Sequence, residues 1–283
     1  MNMNESVSFL DSWFVWRDAI IVAVIAAATL SYLGVWIVLK RVVYVPLALS
    51  QVSSAGVVLS FFLCGLFDMH ETASLPDPTW MALFLALLAA GYFARQGQES
   101  NNATVVAYLI SSVAALLLAG FIRQDLHDVQ SILFGSAVLV ETVQIVNVGA
   151  AAALVAVVHI VFYRRFLFAS YDPDTAGASG IPVYRYEVLI YVTVAVAISA
   201  ATRAIGALPA FGFAVLPAMA ALRLARSMSA AFVVATLIGV VCAALGYYLS
   251  FVLELPTGAA MVGLAGATYL ASTVRHLRRG SLR

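Results

Sequence analysis

Apolar residues occur along this 283-residue chain in long runs, separated by short segments that carry most of the charged side chains. About 20 apolar residues are enough for a helix to cross a bilayer. Runs of roughly this length lie at about 17–39, 43–67, 78–94, 103–121, 142–163, 187–205, 206–222, 228–250 and 256–274. Some are short or join the next run at a Pro or Gly, so eight to ten crossings fit the pattern. The pattern predicts an all-α, polytopic transmembrane bundle that forms a single domain over residues 1–283.

One apolar stretch carries the strongest helix-breaking signals. It runs from Arg203 to Arg226 and contains Gly206, Pro209 and Pro217. Proline removes a backbone donor and clashes with the preceding turn, so this stretch is not expected to form one uniform helix. A broken helix in hydrocarbon is stable only where protein or a water-filled cavity satisfies the freed backbone groups. The three residues therefore mark either a gate on a translocation path or a proline-kinked structural span.

Composition places the chain in the membrane class. It is 63% hydrophobic and 10% charged, whereas a soluble domain is nearer half apolar and a quarter charged. The net charge of +1 gives no reason to expect nucleic acid as a partner. Cys64 and Cys242 lie in apolar runs, and their spacing suggests neither a metal site nor a disulfide framework. They are interpreted as packing residues.

The basic residues predict which side of the membrane each loop faces, because Lys and Arg concentrate on the cytoplasmic side. If Lys40 and Arg41 are cytoplasmic, nine alternating spans place all but three of the 15 basic residues inside. The three that remain outside are Arg17, Arg123 and Arg203. The outside loops also hold Asp68, His70, Glu71, Asp77, Asp125, His127, Asp128 and Glu254. The N-terminus is then predicted outside and the C-terminus inside.

The loop at 164–186 is the largest on the predicted cytoplasmic side and has helix signals of its own. Asp172 can accept hydrogen bonds from the free N–H groups of a first turn, with Pro173 at the first helical position. Gly180, followed by Pro182, ends the segment. The pattern predicts a short amphipathic helix on the cytoplasmic face. It is either a docking helix that passes force to a soluble partner or an ordinary surface helix.

Four segments together resemble one family, the membrane subunits of ATP-binding-cassette (ABC) importers for zinc, manganese and iron. SILFGSAVLV at 131–140 resembles the family's short outer LFGS segment, and SYDPDTAGASGIPV at 170–183 resembles its coupling loop. GALPAFGFAVLPAMAALRLARS at 206–227 resembles its Gly-to-Pro segment, and GYYLSFVLELPTGAAMVG at 246–263 its last hairpin. The four matches occur in the family's order and on the predicted sides.

The resemblance implies a fold like that of type II ABC importers and a set of partners. Two permease copies, in a homodimer or a heterodimer, would span the bacterial cytoplasmic membrane among its lipids and dock on a dimer of cytoplasmic ATPases. An extracytoplasmic metal-binding protein would deliver the substrate. Asp172, Pro173, Ala176 and Gly180 would couple the permease to the ATPase. The chain lacks a GxxxxGK[ST] phosphate loop, so ATP would bind the partner subunit, and this chain would be neither an enzyme nor the holder of a cofactor.

The chain departs from the family pattern where metal ligands are expected. The family's second span has an Asp and a His four residues apart, which share a helical face and can hold a passing cation. Leu47 and Gln51 occupy those two positions here, and Asn102 replaces a family Glu of a later span, unless a shifted frame uses Glu99. Leucine is not a ligand, and amide oxygens are poor zinc ligands. The metal site is therefore unknown.

Several interpretations of this departure stay open. A partner permease carries the ligands, or the metal passes hydrated or chelated along a wider polar path, or the substrate is not a metal ion. Ser50, Ser53 and Ser54 would line such a path or form helix–helix hydrogen bonds. The alternative functions are an ion-gradient-driven secondary transporter or channel, and a non-transporting partner of a second permease.

Ionisable residues in or near the spans are further candidates. Glu141 and Glu187 lie at span boundaries and are interpreted as structural, because charges there reach the headgroups. His159, near the cytoplasmic end of its predicted span, is either a late metal contact or a packed histidine. The outside residues that would attract cations, dock a delivery protein or simply be solvated are His70, Glu71, His127 and Asp128.

Overall fold

The computed structural model describes residues 13–66, 78–97, 100–121, 140 and 142–280. Within these ranges the chain forms helices and no strand. The helices are α1 (Trp13–Leu39), α2 (Tyr44–Leu66), α3 (Pro78–Gln96), α4 (Ser100–Phe121), α5 (Thr142–Tyr171), α6 (Pro173–Ala178), α7 (Val183–Ile205), α8 (Ala207–Leu224), α9 (Met228–Leu253) and α10 (Thr257–Gly280). Among the described residues, 8 helices are long and apolar enough to cross a membrane. The predicted all-α transmembrane bundle is confirmed.

The eight candidate spans are α1–α5 and α7–α9. The ninth predicted span, at 256–274, corresponds to α10, which has sufficient length but a less apolar composition. The largest difference from prediction is at the 164–186 loop. There α5 continues beyond 163 to Tyr171, and α7 already begins at Val183. Arginine is a good helix former, so Arg164 and Arg165 end the apolar run without ending the helix.

The centre of the bundle consists of α1, α7 and α8, each of which buries more than half of its apolar window. Around them, α9 packs on α1, α8 and α10, while α5 and α3 both pack on α7. Helix α2 packs on α3, α4, α7 and α8. Less than a quarter of the apolar window is buried in α4 and in α5. Their exposed faces are apolar, as expected for helices that face lipid.

Small residues allow the closest helix crossings. A methyl group added to Gly56 on α2 would lie 2.7 Å from the Cα of Ala82 on α3, and one added to Gly246 on α9 would lie 2.5 Å from the Cα of Met261 on α10. Contacts of this kind replace the hydrophobic driving force that lipid removes. They explain why the bundle's interfaces are rich in Gly and Ala.

The stretch Arg203–Arg226 is not one uniform helix, as expected, but its break lies at Gly206 rather than at a proline. Gly206 is buried and has φ 93° and ψ 161°, and it separates α7 from α8. Pro209 is in the first turn of α8, where its missing N–H is not needed. Helix α8 continues through Pro217, which leaves the carbonyl of Phe213 without its helical donor. Ser31 on α1 donates to that carbonyl at 3.3 Å, so a neighbouring helix replaces the lost bond.

Candidate functional site

The two family-aligned residues of α2 lie in its first two turns. Leu47 and Gln51 are both partly buried. Between them Ser50 is buried, and its hydroxyl donates to the carbonyl of Leu47 at 2.9 Å. Ser53 and Ser54 are fully buried, and their hydroxyl oxygens have no hydrogen-bond partner among the residues that the structure describes. The α2 segment therefore presents polar atoms that its own packing does not use.

Asn102 lies in the first turn of α4 and is exposed. Helices α2 and α4 run parallel, because Phe62 contacts Phe121 with ring centroids 6.3 Å apart and Ala55 belongs to the same small apolar cluster as Ala115. Because the two helices are parallel and Phe62 lies beside Phe121, each residue of α4 lies beside the α2 residue the same number of positions earlier. Asn102 therefore lies level with the start of α2, before Leu47. The structure brings the three residues to one end of the α2–α4 pair. Glu99, the alternative to Asn102, lies outside the described residues.

Within the described ranges, no group of three or more His, Cys, Asp or Glu side chains could hold a metal ion. Cys64 and Cys242 are free thiols, the first partly buried and the second buried. The candidate residues of α2 and α4 supply only amide and hydroxyl oxygens and an aliphatic side chain. Their chemistry suits a hydrated or chelated species better than a bare zinc ion.

His159 is a packed residue in the middle of α5. Because α5 continues to Tyr171, this histidine lies farther from the helix end than predicted. Its Nε2 lies 3.1 Å from the Thr193 hydroxyl, which itself donates to the Ile190 carbonyl at 2.8 Å, so Nε2–H donates to Thr193. The ring contacts Tyr32, Trp36 and Phe166. This environment matches the packed histidine rather than the late metal contact.

Helix α6 is built as its sequence predicts. The backbone N–H of Thr175 donates to Asp172 Oδ1 at 3.0 Å, and Pro173 opens the helix. The hydrogen bonds from the Thr175 side chain and backbone lower the pKa of the Asp172 carboxyl. Gly180 follows the helix in the left-handed region with φ 80°. Ala176 is fully buried, whereas the other residues of α6 are exposed, so one side chain anchors a helix whose remaining surface is free.

The first turn of α7 is bonded to two other helices. Arg165 Nη1 on α5 donates to the Tyr186 hydroxyl at 2.7 Å, and its guanidinium lies 5.9 Å from the centre of that ring. Lys40 Nζ, just after α1, lies 3.2 Å from Glu187 Oε1. Glu187 is thus structural, as interpreted from its position. We call this end of the bundle, where α1 and α5 end and α7 begins, the inner end, and the opposite end the outer end.

A further contact at the inner end joins α8 to α10. Arg223 donates to the hydroxyl of Tyr269 at 3.0 Å and to that of Thr273, and its guanidinium lies 4.6 Å from the Tyr269 ring centre. From the sequence, Arg223 is one of the basic residues predicted on the inside, and these bonds could not be foreseen. The available signal was weak, because Tyr269 and Thr273 belong to an apolar run of ordinary appearance.

Several predicted residues lie outside the described part of the chain. They are the outer LFGS segment at 131–139, His70, Glu71, His127, Asp128 and Glu141. The described site therefore consists of α6, the bonded inner end of α7, the Gly206 break and the polar residues of α2 and α4.

Comparison with known proteins covers nearly the whole chain. The model of the ABC 3 transport family matches residues 13–276. The manganese transport system membrane protein MntC of Listeria innocua is 26% identical over 269 residues, which are 94% of this chain and 92% of that protein. The chelated iron transport system membrane protein YfeD of Yersinia pestis is 24% identical over 276 residues, which are 96% of this chain and 90% of that protein.

A solved structure has the same arrangement of helices. PsaBC from Streptococcus pneumoniae, in complex with Fab, matches this chain with a TM-score of 0.81 at 22% identity. The match covers 93% of this chain and 94% of the matched chain. The predicted importer-like fold is therefore confirmed over the length of the bundle.

Proposed function

This chain belongs to the ABC 3 transport family, and on that premise we propose that it is the permease subunit of an ATP-driven importer in the cytoplasmic membrane of a bacterium. Its substrate is a divalent metal ion, namely zinc, manganese or iron, or a chelate of such a metal. The names of relatives that transport manganese and chelated iron support this substrate class.

The observation that best supports the proposal is the way in which α6 is joined to the bundle. Ala176 is buried against the bundle while the rest of α6 is exposed, so the exposed surface of α6 is available to a partner. Helix α6 packs on α5 and α7, and α7 continues from it after a short connection. The helix is expected to be rigid, because the Asp172 cap and Pro173 define its start and the left-handed Gly180 follows its end. Together with the buried Ala176, these residues form the proposed coupling element.

The proposed mechanism follows from these connections. A cytoplasmic ATPase dimer contacts α6 and binds and hydrolyses ATP. When the dimer closes on ATP, it moves α6. The first turn of α7 moves with α6, and the Arg165–Tyr186 and Lys40–Glu187 bonds pass the movement to α5 and α1. At the other end of α7, Gly206 absorbs the change of angle between α7 and α8. An extracytoplasmic binding protein delivers the substrate to the outer end.

The polar path proposed for the substrate runs along α2 and α4. Leu47, Gln51 and Asn102 offer it no anionic ligand, so the path holds its substrate weakly or in chelated form. A second permease copy completes the path. The absence of charged ligands at these positions also favours a second candidate, in which this chain is the non-transporting partner of a permease that retains them.

The coupling proposal is tested by placing a charge on the exposed surface of α6. Ala178→Lys should lower co-purification of the ATPase and ATP-driven metal uptake in proteoliposomes by about tenfold or more, because an unpaired charge in an interface costs several kcal/mol. The matched control is Ser229→Lys, an exposed residue at the inner end in the first turn of α9, which should leave both unchanged.

Three results would contradict the proposal. Uptake that persists without ATP would favour an ion-gradient-driven transporter. Uptake that requires a second, different permease and survives any change at Gln51 would favour the non-transporting partner. A cysteine placed at Ala178 that reacts with a membrane-impermeant reagent in intact cells would put α6 on the wrong side of the membrane for a cytoplasmic motor.

A further inference from the structure

A groove of about 250 Å³ opens between α3, α5 and α7 at the outer end of the bundle. It lies where α3 and α5 begin and α7 ends, because it is lined by the first turns of the former two and the last turns of the latter. Most of its lining is apolar, including Trp80, Leu83, Leu154 and Val196. Thr79, Asn147 and Ser199 contribute the polar part of the wall. The groove is therefore an apolar cleft with a polar margin.

The α7 wall of the groove leads to a basic residue. Val196, Ser199 and Arg203 follow one another at helical spacing on one face, so Arg203 lies one turn beyond Ser199 towards the outer end. The Ser199 hydroxyl oxygen and Arg203 Nε are buried, and neither has a hydrogen-bond partner in the part of the chain described. The guanidinium group lies 5.6 Å from the centre of the Phe61 ring, which holds it in place without neutralising it.

Arg203 has no carboxylate within ion-pair distance among the described residues, where the ion pairs are Arg17–Asp18 and Lys40–Glu187. A buried guanidinium N–H without an acceptor is costly, so an acceptor beyond those that the described residues supply is expected. Guanidinium groups bind phosphate through charge-assisted, often bidentate, hydrogen bonds. The charge of Arg203 therefore complements a phosphate at the outer end.

The rest of the groove determines what carries that phosphate. Trp80 and Leu154, which line the groove, are exposed, as residues that face lipid are, and so are Phe84 and Val157 about one turn farther along α3 and α5. We propose that the α3–α5–α7 groove binds an anionic phospholipid, with one acyl chain along its apolar wall and the phosphate on Arg203. A water-soluble phosphate would gain nothing from the apolar wall, and a neutral lipid would gain less from the charge. Bound lipid would hold α3 and α5 against the outer end of α7. Gly206, which follows that end, would let α7 change its angle to α8.

The headgroup contact is tested by counting lipids retained on the purified full-length chain by native mass spectrometry. With phosphatidylglycerol added, Arg203→Gln should lower the bound fraction about fivefold, the effect of losing one basic charge near a lipid surface. Arg203→Lys should restore most of it. Arg17→Gln, at the same end of the bundle but in an ion pair with Asp18, should have no effect. Equal retention by wild type and Arg203→Gln would overturn the proposal.

The acyl contact is tested from α5. Ala150→Phe fills the groove and should lower retention of phosphatidylglycerol, whereas Ala153→Phe, which is exposed on the same helix outside the groove, should not. Complete competition by inorganic phosphate would assign the charge to a free anion and reject the lipid. Cross-linking between two copies through Ala150→Cys in membranes would assign the groove to a second copy and reject it as well.

Discussion

The two ends of α7 differ in how their polar groups are satisfied. At the inner end, Tyr186 accepts from Arg165 and Glu187 from Lys40, so the first turn is bonded to α5 and to the end of α1. The two pairs join different segments: Arg165 and Tyr186 are separated by 21 residues, and Lys40 and Glu187 by 147. This end is therefore a joint in which α7 is bonded to α5 and to the end of α1.

At the outer end the same helix has polar groups without partners in the described part of the chain. The hydroxyl oxygens of Ser199 and Thr202 and the Nε of Arg203 are buried and unbonded within the described ranges. Three residues after Arg203, Gly206 ends the helix. The contrast is that the inner end is bonded to other segments of the chain, while the outer end has buried polar groups that no described residue pairs and ends at a glycine.

The largest effect is expected from removing the turn at the outer end. Gly206→Ala places a side chain at φ 93° and ψ 161°, a region that is essentially restricted to glycine. The free energy of unfolding should fall by about 1–3 kcal/mol. Thermal unfolding in detergent measures it. Gly149→Ala, in a helix interior with open space around the added methyl, should be neutral or stabilising. Equal losses in both variants would show that the Gly206 conformation is not required.

A smaller effect is expected from breaking the inner joint. A double-mutant cycle with Lys40→Met and Glu187→Gln should give a coupling energy of about 1–2 kcal/mol, because Lys40 is 9% exposed and its charge cannot return fully to water. The Arg17–Asp18 pair has the same 3.2 Å separation but is 48% and 39% exposed, so its cycle should give less than about 0.5 kcal/mol. Similar energies for the two pairs would contradict the proposed transmission through a buried joint.

The smallest effect concerns pH at α6. The pKa of Asp172 is lowered from its ordinary value of 3.8, so the folded state favours the charged carboxylate. The stabilisation of α6 by the charged cap is therefore fully present above pH 3.8, and it is lost as the pH falls through the lowered pKa of Asp172. Hydrogen exchange of the Thr175 amide, corrected for its intrinsic rate, should accelerate in that window. Asp172→Asn should remove this pH dependence, and a variant that kept it would assign the effect to another group.

The helices and the short capped α6 could be predicted from local pattern, and so could the arrangement of basic loops that places Lys40 and Glu187 on one side. The end of α5 could not, because an apolar run ends where hydrocarbon ends while helical hydrogen bonds continue through Arg164 and Arg165. That helix α8 continues through Pro217 could not be predicted either, because the donor that compensates for the proline, Ser31, belongs to a different helix. That Leu47 and Gln51 share one face of α2 follows from their spacing of four residues. The position of Asn102 relative to them became known only from the packing of α4 on α2.

The order of apolar runs, the break at a glycine and the cap at Asp172 are properties that the chain determines by itself, since each depends on bonds within a few residues. The tertiary structure decided which polar groups find a partner. It bonded the start of α7 through Arg165 and Lys40, and it gave Arg203 Nε at the other end no partner among the described residues. The physical reason is that a bond between distant helices forms only where packing brings donor and acceptor within about 3 Å, and hydrophobic periodicity carries no information on that distance.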